Sequence, residues 1–374
     1  MPLLPPLVLA DDLTGAAEIA AIAHQAGLRA VVLTAPPART VTADVLVLDT
    51  ETRLVSAAEA ARRMRTLAER LHRVPHAGVF LKVDSVLRGP VLAQVTAVAE
   101  ALGRRRVLLV PANPSLGRTL RDGRYFVDGR PLHQTAFGRD PHHPRTSDLV
   151  FELLGPARHP PVVCPPRATR LPRTGVVVGE TATAADVTRW AGRLDASTLP
   201  AGAADFFRAW LRNQKLRRRA APQPALPEGG VVLLHGTTSV SPVRRALLFK
   251  GVRAPSIRSV RAALARDGAA AVAASPATLG NPDAPEAITT GFAALAQDLH
   301  RTRAFNHLLI AGGATAAAVL RALGWPTLEV VRVWGPGVVT LRPVADPGFA
   351  VTLKPGSYSW PATLRRALHP FRIS

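Results

Sequence analysis

Leu7-Val8-Leu9-Ala10-Asp11-Asp12-Leu13-Thr14-Gly15 is the stretch on which the fold turns. An apolar run this short reads as a buried strand. A helix-like stretch, Ala16 to Gln25, follows at once. The end of the strand therefore delivers two carboxylates, a hydroxyl and a glycine to a strand-to-helix turn. In open α/β sheets that edge is where ligands bind. One acid is enough to cap a helix; two followed by Thr-Gly exceed what a cap needs.

Working outward, strand-like and helix-like runs alternate. Val31-Val32-Leu33 and Val45-Leu46-Val47-Leu48 follow the first helix, and Ala57 to Leu71 is a second. Val79 to Val83 reads as a strand, Val91 to Leu102 as a helix and Val107 to Val110 as a strand. This rhythm predicts a parallel sheet covered by helices. Residues Pro111 to Ser147 break it with Gly, Pro, Asp and Asn, and loops of that length are commonly functional. Within them Tyr125 to Arg130 reads as a short hairpin. After a Pro-rich patch, Val176 to Val178 and Ala184 to Leu194 resume the α/β pattern. The stretch Lys215 to Gly230 has linker composition, a charge run followed by three prolines and a Gly pair. Two domains are expected, 1–221 and 222–374. The fold class expected is α/β, each domain a mainly parallel sheet flanked by helices, with the active site in the interdomain cleft.

The 374 residues are 47% hydrophobic but only 5% aromatic, so the core is expected to rest on Ala, Val and Leu. Cys164 is the single cysteine, which rules out an intramolecular disulfide and argues against a cysteine zinc site. No apolar segment approaches the length of a membrane span. The start of the chain, Met1-Pro2-Leu3-Leu4-Pro5-Pro6, is unlike a signal peptide. A cytoplasmic location is expected. The net charge of +21 points first to nucleic acid. Yet arginine is dispersed along the chain and there are only two tyrosines, so no specific nucleic-acid partner is expected. Of 47 basic residues four are lysine, and two of these, Lys82 and Lys354, fall in the motifs below, while Lys215 and Lys250 do not. A compact ammonium is not interchangeable with a planar guanidinium.

Three polar clusters close strands of the first domain: Asp11-Asp12-Leu13-Thr14-Gly15, Asp49-Thr50-Glu51-Thr52-Arg53, and Lys82-Val83-Asp84-Ser85-Val86-Leu87-Arg88-Gly89. Converging on one crevice, they suit a small, polyhydroxylated, anionic substrate, with Arg88 or Lys82 for a carboxylate and Asp for hydroxyls. The competing reading is an internal salt-bridge network with helix caps. The irregular stretch adds Asn113 and Gly117-Arg118-Thr119. His133, His142 and His143 show no metal-ligand spacing and read as surface histidines. In the second domain His235-Gly236-Thr237-Thr238-Ser239, Ala311-Gly312-Gly313-Ala314-Thr315 and Lys354-Pro355-Gly356-Ser357 follow strand-like runs. Glycine allows close backbone approach, and a helix N-terminus attracts phosphate. No Walker P-loop and no G-x-G-x-x-G occurs.

The order Asp-Asp-Leu-Thr-Gly, Thr-Glu-Thr-Arg, Lys-Val-Asp-Ser-Val-Leu-Arg-Gly and Pro111-Ala-Asn-Pro-Ser-Leu-Gly-Arg-Thr resembles the four-carbon acid sugar kinases. The likeness continues through Gly123 to Leu132, Asp140-Pro141, Gly236-Thr237-Thr238-Ser239, Gly312-Gly313-Ala314-Thr315 and Leu353 to Gly356. The resemblance implies an ATP-dependent kinase of threonate-, erythronate- or 3-oxo-tetronate-type acids. It would have an amino-terminal substrate domain, a carboxy-terminal nucleotide domain and Mg²⁺ accompanying ATP. On this kinase reading Asp12 is assigned as the base that orients the attacking hydroxyl, with Asp84 second, and Lys82 and Arg88 would hold the acid's carboxylate or stabilise the transferred phosphoryl. Asp11, Thr14, Arg53, Ser85, Arg88, Asn113 and Arg118 would line the acid. Gly236, Thr237, Ser239, Gly312, Gly313, Ala314, Thr315, Lys354 and Gly356 would hold the nucleotide. The metal ligands are unknown, and a homodimer is compatible. Two positions and one run depart from the family. Ala314 stands where it usually has Glu, Val86 where it often has Thr, and Lys354-Pro355-Gly356-Ser357-Tyr358-Ser359 where it has a Lys-Ser-Gly-Asn-Phe-Gly-like run. These departures support an alternative: a catalytically impaired member that binds sugar acid or nucleotide.

Overall fold

The computed structural model describes residues 5–37, 41–71, 76–140, 142–214, 216, 224–236, 246–250, 253–274, 284–356 and 358–367. The chain forms two compact units, residues 1–23 with 44–217, and residues 24–43 with 218–374.

The elements begin β1 (Leu7–Ala10), α1 (Leu13–Gln25), β2 (Ala30–Leu33), β3 (Val45–Asp49), α2 (Ala57–Leu71), β4 (Val79–Lys82), α3 (Val91–Ala101) and β5 (Arg106–Val110). There follow β6 (Arg118–Arg121), β7 (Arg124–Val127), β8 (Arg130–Pro131), α4 (Val150–Leu154), β9 (Val162–Cys164), β10 (Gly175–Gly179), α5 (Ala184–Ala191), β11 (Thr198–Gly202) and α6 (Ala204–Asn213). In the first unit the sheet order is β3-β1-β4-β11-β5-β10-β9, and every pairing is parallel. Its central strands are mainly apolar and almost wholly buried, as parallel strands covered on both faces must be, with Lys82 closing β4 and the half-buried Arg106 opening β5. Alanine dominates α1 and lets it lie close to the sheet, with Ala16, Ala17, Ala20 and Ala23 fully buried. The few aromatics are concentrated: Phe80 of β4 stacks against Phe206, Phe207 and Trp210 of α6, at centroid distances of 5.3–5.8 Å. The irregular stretch is ordered. It holds the antiparallel meander β6-β7-β8 and three 3₁₀ turns.

The second unit adds β12 (Val231–His235), β13 (Leu247–Leu248), α7 (Ile257–Asp267), β14 (Ala269–Ala273), α8 (Ala284–Arg301), β15 (His307–Ala311) and α9 (Gly313–Ala322). It ends with β16 (Thr327–Gly335), β17 (Val338–Pro343), β18 (Ala350–Lys354) and α10 (Ala362–Ala367). Strands β13-β14-β12-β15-β18 are parallel, and β17, β16 and β2 continue antiparallel. Strand β2, an early part of the βα rhythm in the sequence, thus pairs with β16 in this unit. Among the described residues no helix is long and apolar enough to cross a membrane.

Candidate functional site

Three neighbouring strands set the site in the first unit. Ala10 is in register with Asp49 on one side and Lys82 on the other, so the polar clusters that follow β1, β3 and β4 emerge along one edge. Backbone bonds lace them together. Thr52 and Arg53 donate to Asp11 O at 3.0 and 3.1 Å, and Asp11 donates to Lys82 O at 3.2 Å.

The two adjacent acids have different work. Asp11 is buried and takes a two-pronged fork from Arg53, Nε to Oδ2 at 2.9 Å and Nη2 to Oδ1 at 2.8 Å. Burial pushes its carboxyl up, against the pull of Arg53 and Lys82. Asp12 caps α1: its Oδ1 accepts from Gly15 N at 2.8 Å, while Oδ2 accepts from Thr14 Oγ1 and Arg53 Nη1, each at 2.6 Å. Its side chain is 20% exposed, against 1% for Asp11.

The Asp84–Gly89 loop is built around a second fork. Arg88 Nε and Nη2 reach Asp84 at 3.0 and 2.7 Å, and Asp84 Oδ2 also accepts the backbone N–H groups of Val86 and Arg88 at 3.1 Å. Burial would raise the Asp84 carboxyl, but the Arg88 and Arg53 charges outweigh it and hold it well below the usual carboxylate range. Leu87 sits at φ +61° and Gly89 at φ +84°. A Cβ on Gly89 would lie 2.8 Å from Arg53 O, so the loop needs glycine there to pack against the Arg53 turn. Arg88 Nη1 continues to Asp140 at 2.8 Å.

Lys82 is 4% exposed; its Nζ donates to Val83 O at 3.0 Å and pairs with Glu18 of α1 at 3.5 Å. Ser85 accepts from Arg118 Nη1, and its carbonyl accepts the Tyr125 hydroxyl. Asn113 bridges to Arg118 through its backbone, while its side chain is engaged elsewhere: its Oδ1 caps α6 by accepting from Asp205 N at 3.0 Å. The meander and its following turns fold over the loop. Phe137 lies under both Arg88 and Arg118, at 5.6 and 5.3 Å. His143 Nε2 meets Arg53 O at 3.0 Å, so this histidine is structural. Arg118 forms no ion pair among the described residues, and its buried Nε has no partner there. Among the described residues no cluster of three or more His, Cys, Asp or Glu could hold a metal ion.

In the second unit Gly236 and Gly312 close on each other at the ends of β12 and β15. A Cβ on Gly236 would lie 2.0 Å from Thr315 Oγ1, and Gly312, at φ +111°, precedes the first turn of α9. Gly313, Ala314 and Thr315 form that turn. Gly312 N donates to Lys354 O at 3.0 Å. A helix N-terminus between bare glycines fits a phosphate group. The Lys354 ammonium is occupied otherwise: it donates to Pro355 O at 2.8 Å, Gly356 O at 3.2 Å and Tyr358 O, and burial lowers it to about 8. Thr237 and Ser239 lie outside the described residues.

A further buried acid, outside the residues that the sequence marks for the site, closes β3. Asp49, 5% exposed, accepts from Glu51 N at 3.0 Å and forms no ion pair among the described residues. Burial first, then the charges of Asp12, Glu51 and Asp11, push it up to about 8. Its signal in the sequence is an acid closing the otherwise apolar run Val45 to Leu48.

Fold and site define a two-unit α/β protein with an acid-and-arginine cluster at a strand edge in one unit and a glycine-lined helix start in the other. Residues 6–193 match a family model described as a sugar-binding N-terminal domain, and residues 242–358 one described as a nucleotide-binding C-terminal domain. The D-threonate kinase of Cupriavidus necator is 32% identical over 96% of this chain and 96% of its own length. The chain belongs to the four-carbon acid sugar kinase family. The 3-oxo-tetronate kinase of Brucella melitensis biotype 1 is 26% identical over 94% of this chain and 92% of its own length. The match to the D-threonate kinase of Salmonella typhimurium, 35% identical, takes in 40% of this chain and 36% of that protein. A solved structure from Salmonella typhimurium LT2, described as that of a tRNA synthase, superposes with a TM-score of 0.77 over 99% of this chain and all of that one. At 18% identity it shows the fold alone.

Proposed function

We propose that the protein phosphorylates a four-carbon sugar acid of the threonate, erythronate or 3-oxo-tetronate type, with ATP as donor. The observation that carries this is Asp12. Its carboxylate sits at a strand-to-helix turn, oriented by Gly15 N, Thr14 Oγ1 and Arg53 Nη1, yet it remains partly exposed. An oriented, accessible carboxylate can accept the proton of an attacking hydroxyl. Asp84 serves this purpose poorly, with both oxygens in the Arg88 fork and its proton affinity suppressed. Asp84 instead fixes Arg88. Arg53 orients Asp11 and Asp12, and Lys82 steadies the turn through Glu18. Arg118, held by Ser85 and carrying an unpartnered Nε, is the cation suited to the acid's carboxylate.

The donor's phosphates would lie at the start of α9, between Gly236 and Gly312. When bound, ATP would supply the phosphoryl group and an accompanying Mg²⁺ would offset its charge. Lys354 gathers the carbonyls of Pro355, Gly356 and Tyr358.

A coupled assay of ADP release over a panel of four-carbon acids tests the reading; folded protein that turns over none of them overturns it. A second reading rests on Ala314 and on the engaged Lys354 ammonium: a member that binds sugar acid without catalysis. Calorimetry separates the two, since binding of the acid without binding of ATP would favour the second.

A further inference from the structure

The acids along the edge of the first unit outnumber the cations that hold them. Arg53 serves Asp11 and Asp12, Arg88 serves Asp84 and Asp140, and Lys82 serves Glu18. Asp49 is the acid left over. No cation lies within ion-pair distance of it among the described residues, and its Oδ1 accepts only a backbone N–H.

Register fixes where it points. Asp49 and Lys82 flank Ala10 in the same row of a parallel sheet, so all three side chains leave the sheet on one face. Lys82 identifies that face as the one under α1, where it meets Glu18 and lies 3.2 Å from the position of a Cβ on Gly15. Asp49 therefore approaches the first turn of α1 from the side opposite Lys82. The charges that face it are Asp11 and Asp12 at the β1 end and Glu51 in its own loop. A carboxylate here would add uncompensated negative charge to a buried edge that must admit an anion, and such a group is driven to its neutral form.

We propose that Asp49 is a positioning residue that admits the anionic substrate as a neutral acid and repels it once ionised. The proposal rests on the sugar-acid reading of this site. Asp49 is uncharged at neutral pH, leaving Asp12 as the exposed acceptor. Above about pH 8 its ionisation places a further charge beside Asp12, and the acid binds more weakly. Lys354 loses its proton in the same range, but in the other unit, so its effect falls on the nucleotide.

The test is the KM for the sugar acid from about pH 6.5 to about pH 9.5, with the KM for ATP measured separately. In the wild type the acid's KM rises about tenfold across the alkaline limb. Asp49→Asn, which keeps the shape of the neutral acid, gives a flat profile, and Asp49→Glu restores a rise. Equal profiles for the wild type and Asp49→Asn overturn the proposal while leaving the kinase reading in place. Difference infrared spectra supply a readout free of turnover: a protonated-carboxyl band disappears on alkalinisation of the wild type and is missing from Asp49→Asn. An unchanged band in the variant assigns the proton elsewhere and also overturns the proposal. If no acid is turned over, the kinase reading falls separately, and calorimetric binding of the acid over the same range makes the same comparison.

Discussion

Arg53 and Asp11 meet through a two-pronged fork at 2.8 and 2.9 Å, and the third arm of the same guanidinium reaches Asp12 at 2.6 Å. One residue therefore sets the spacing of both acids. Lysine can supply the charge but not the planar array of donors. Arg53→Lys should lower kcat/KM for the sugar acid about a hundredfold. Arg53→Met leaves two carboxylates without their cation and should cost about 3–5 kcal/mol of stability in the first unit. Steady-state kinetics and denaturant titration check the two claims. A variant with wild-type kinetics would remove Arg53 from the site.

Gly15 is the contact point between the acid and the lysine. A Cβ there would lie 2.8 Å from Asp12 Oδ1 and 3.2 Å from Lys82 Nζ. Alanine is favoured over glycine within a helix by about 1 kcal/mol, which works against the steric cost. Gly15→Ala should therefore change stability little while displacing Asp12, and kcat should fall roughly ten- to a hundredfold. Thermal melting beside kinetics separates the two effects, and an unchanged kcat would show that Asp12 tolerates displacement.

Much of this arrangement is legible in the sequence, because each functional cluster terminates a short apolar run. An apolar run ending in Asp-Asp, in Asp-Thr-Glu-Thr-Arg or in Lys-Val-Asp-Ser declares both a strand and what stands at its end. What the sequence does not carry is partner choice. Arg53, Arg88 and Lys82 look equally available to a substrate, yet Asp11, Asp84 and Glu18 already engage them. Asn113 reads as a site residue, yet its side chain caps a helix formed some ninety residues later. Strand β2 has the pattern of any parallel strand, and only its long-range pairing with β16 places it in the second unit. Strand β11 carries Pro200 and Gly202, residue types that weaken a strand pattern. It is accommodated because a bare glycine is needed where Gly202 meets the Val110 carbonyl, 2.2 Å from where a Cβ would stand.

Lys82→Arg and Lys250→Arg should differ sharply. Lys82 is nearly sealed between Val83 O and Glu18, under a helix that touches it at Gly15. Lys250 is exposed. The bulkier guanidinium at position 82 must push against the turn that holds Asp12, so kcat/KM should drop about a hundredfold, while Lys250→Arg should match the wild type. Equal kinetics for both would make Lys82 a replaceable structural charge.

The second unit should be acid-sensitive through His307. This residue is 1% exposed and ends a buried chain in which Trp334 Nε1 donates to Thr340 Oγ1 at 2.7 Å. The Thr340 and Thr352 hydroxyls meet at 2.6 Å, and Thr352 Oγ1 meets His307 Nε2 at 2.7 Å. Burial lowers the imidazole from 6.5 to about 4. The unfolded chain therefore takes up a proton before the folded one does. The stability this histidine confers is complete above its unfolded value and is lost as pH falls from 6.5 towards about 4, by about 3 kcal/mol in all. Hydrogen exchange of β15 and β18 amides, followed from about pH 7 to about pH 5, should show protection falling in the wild type. His307→Gln, which cannot take up the proton, starts from lower protection at neutral pH because it fits the threonine chain less well, but it should lose less on acidification. Parallel losses in the two proteins would assign the acid sensitivity to the other buried histidines.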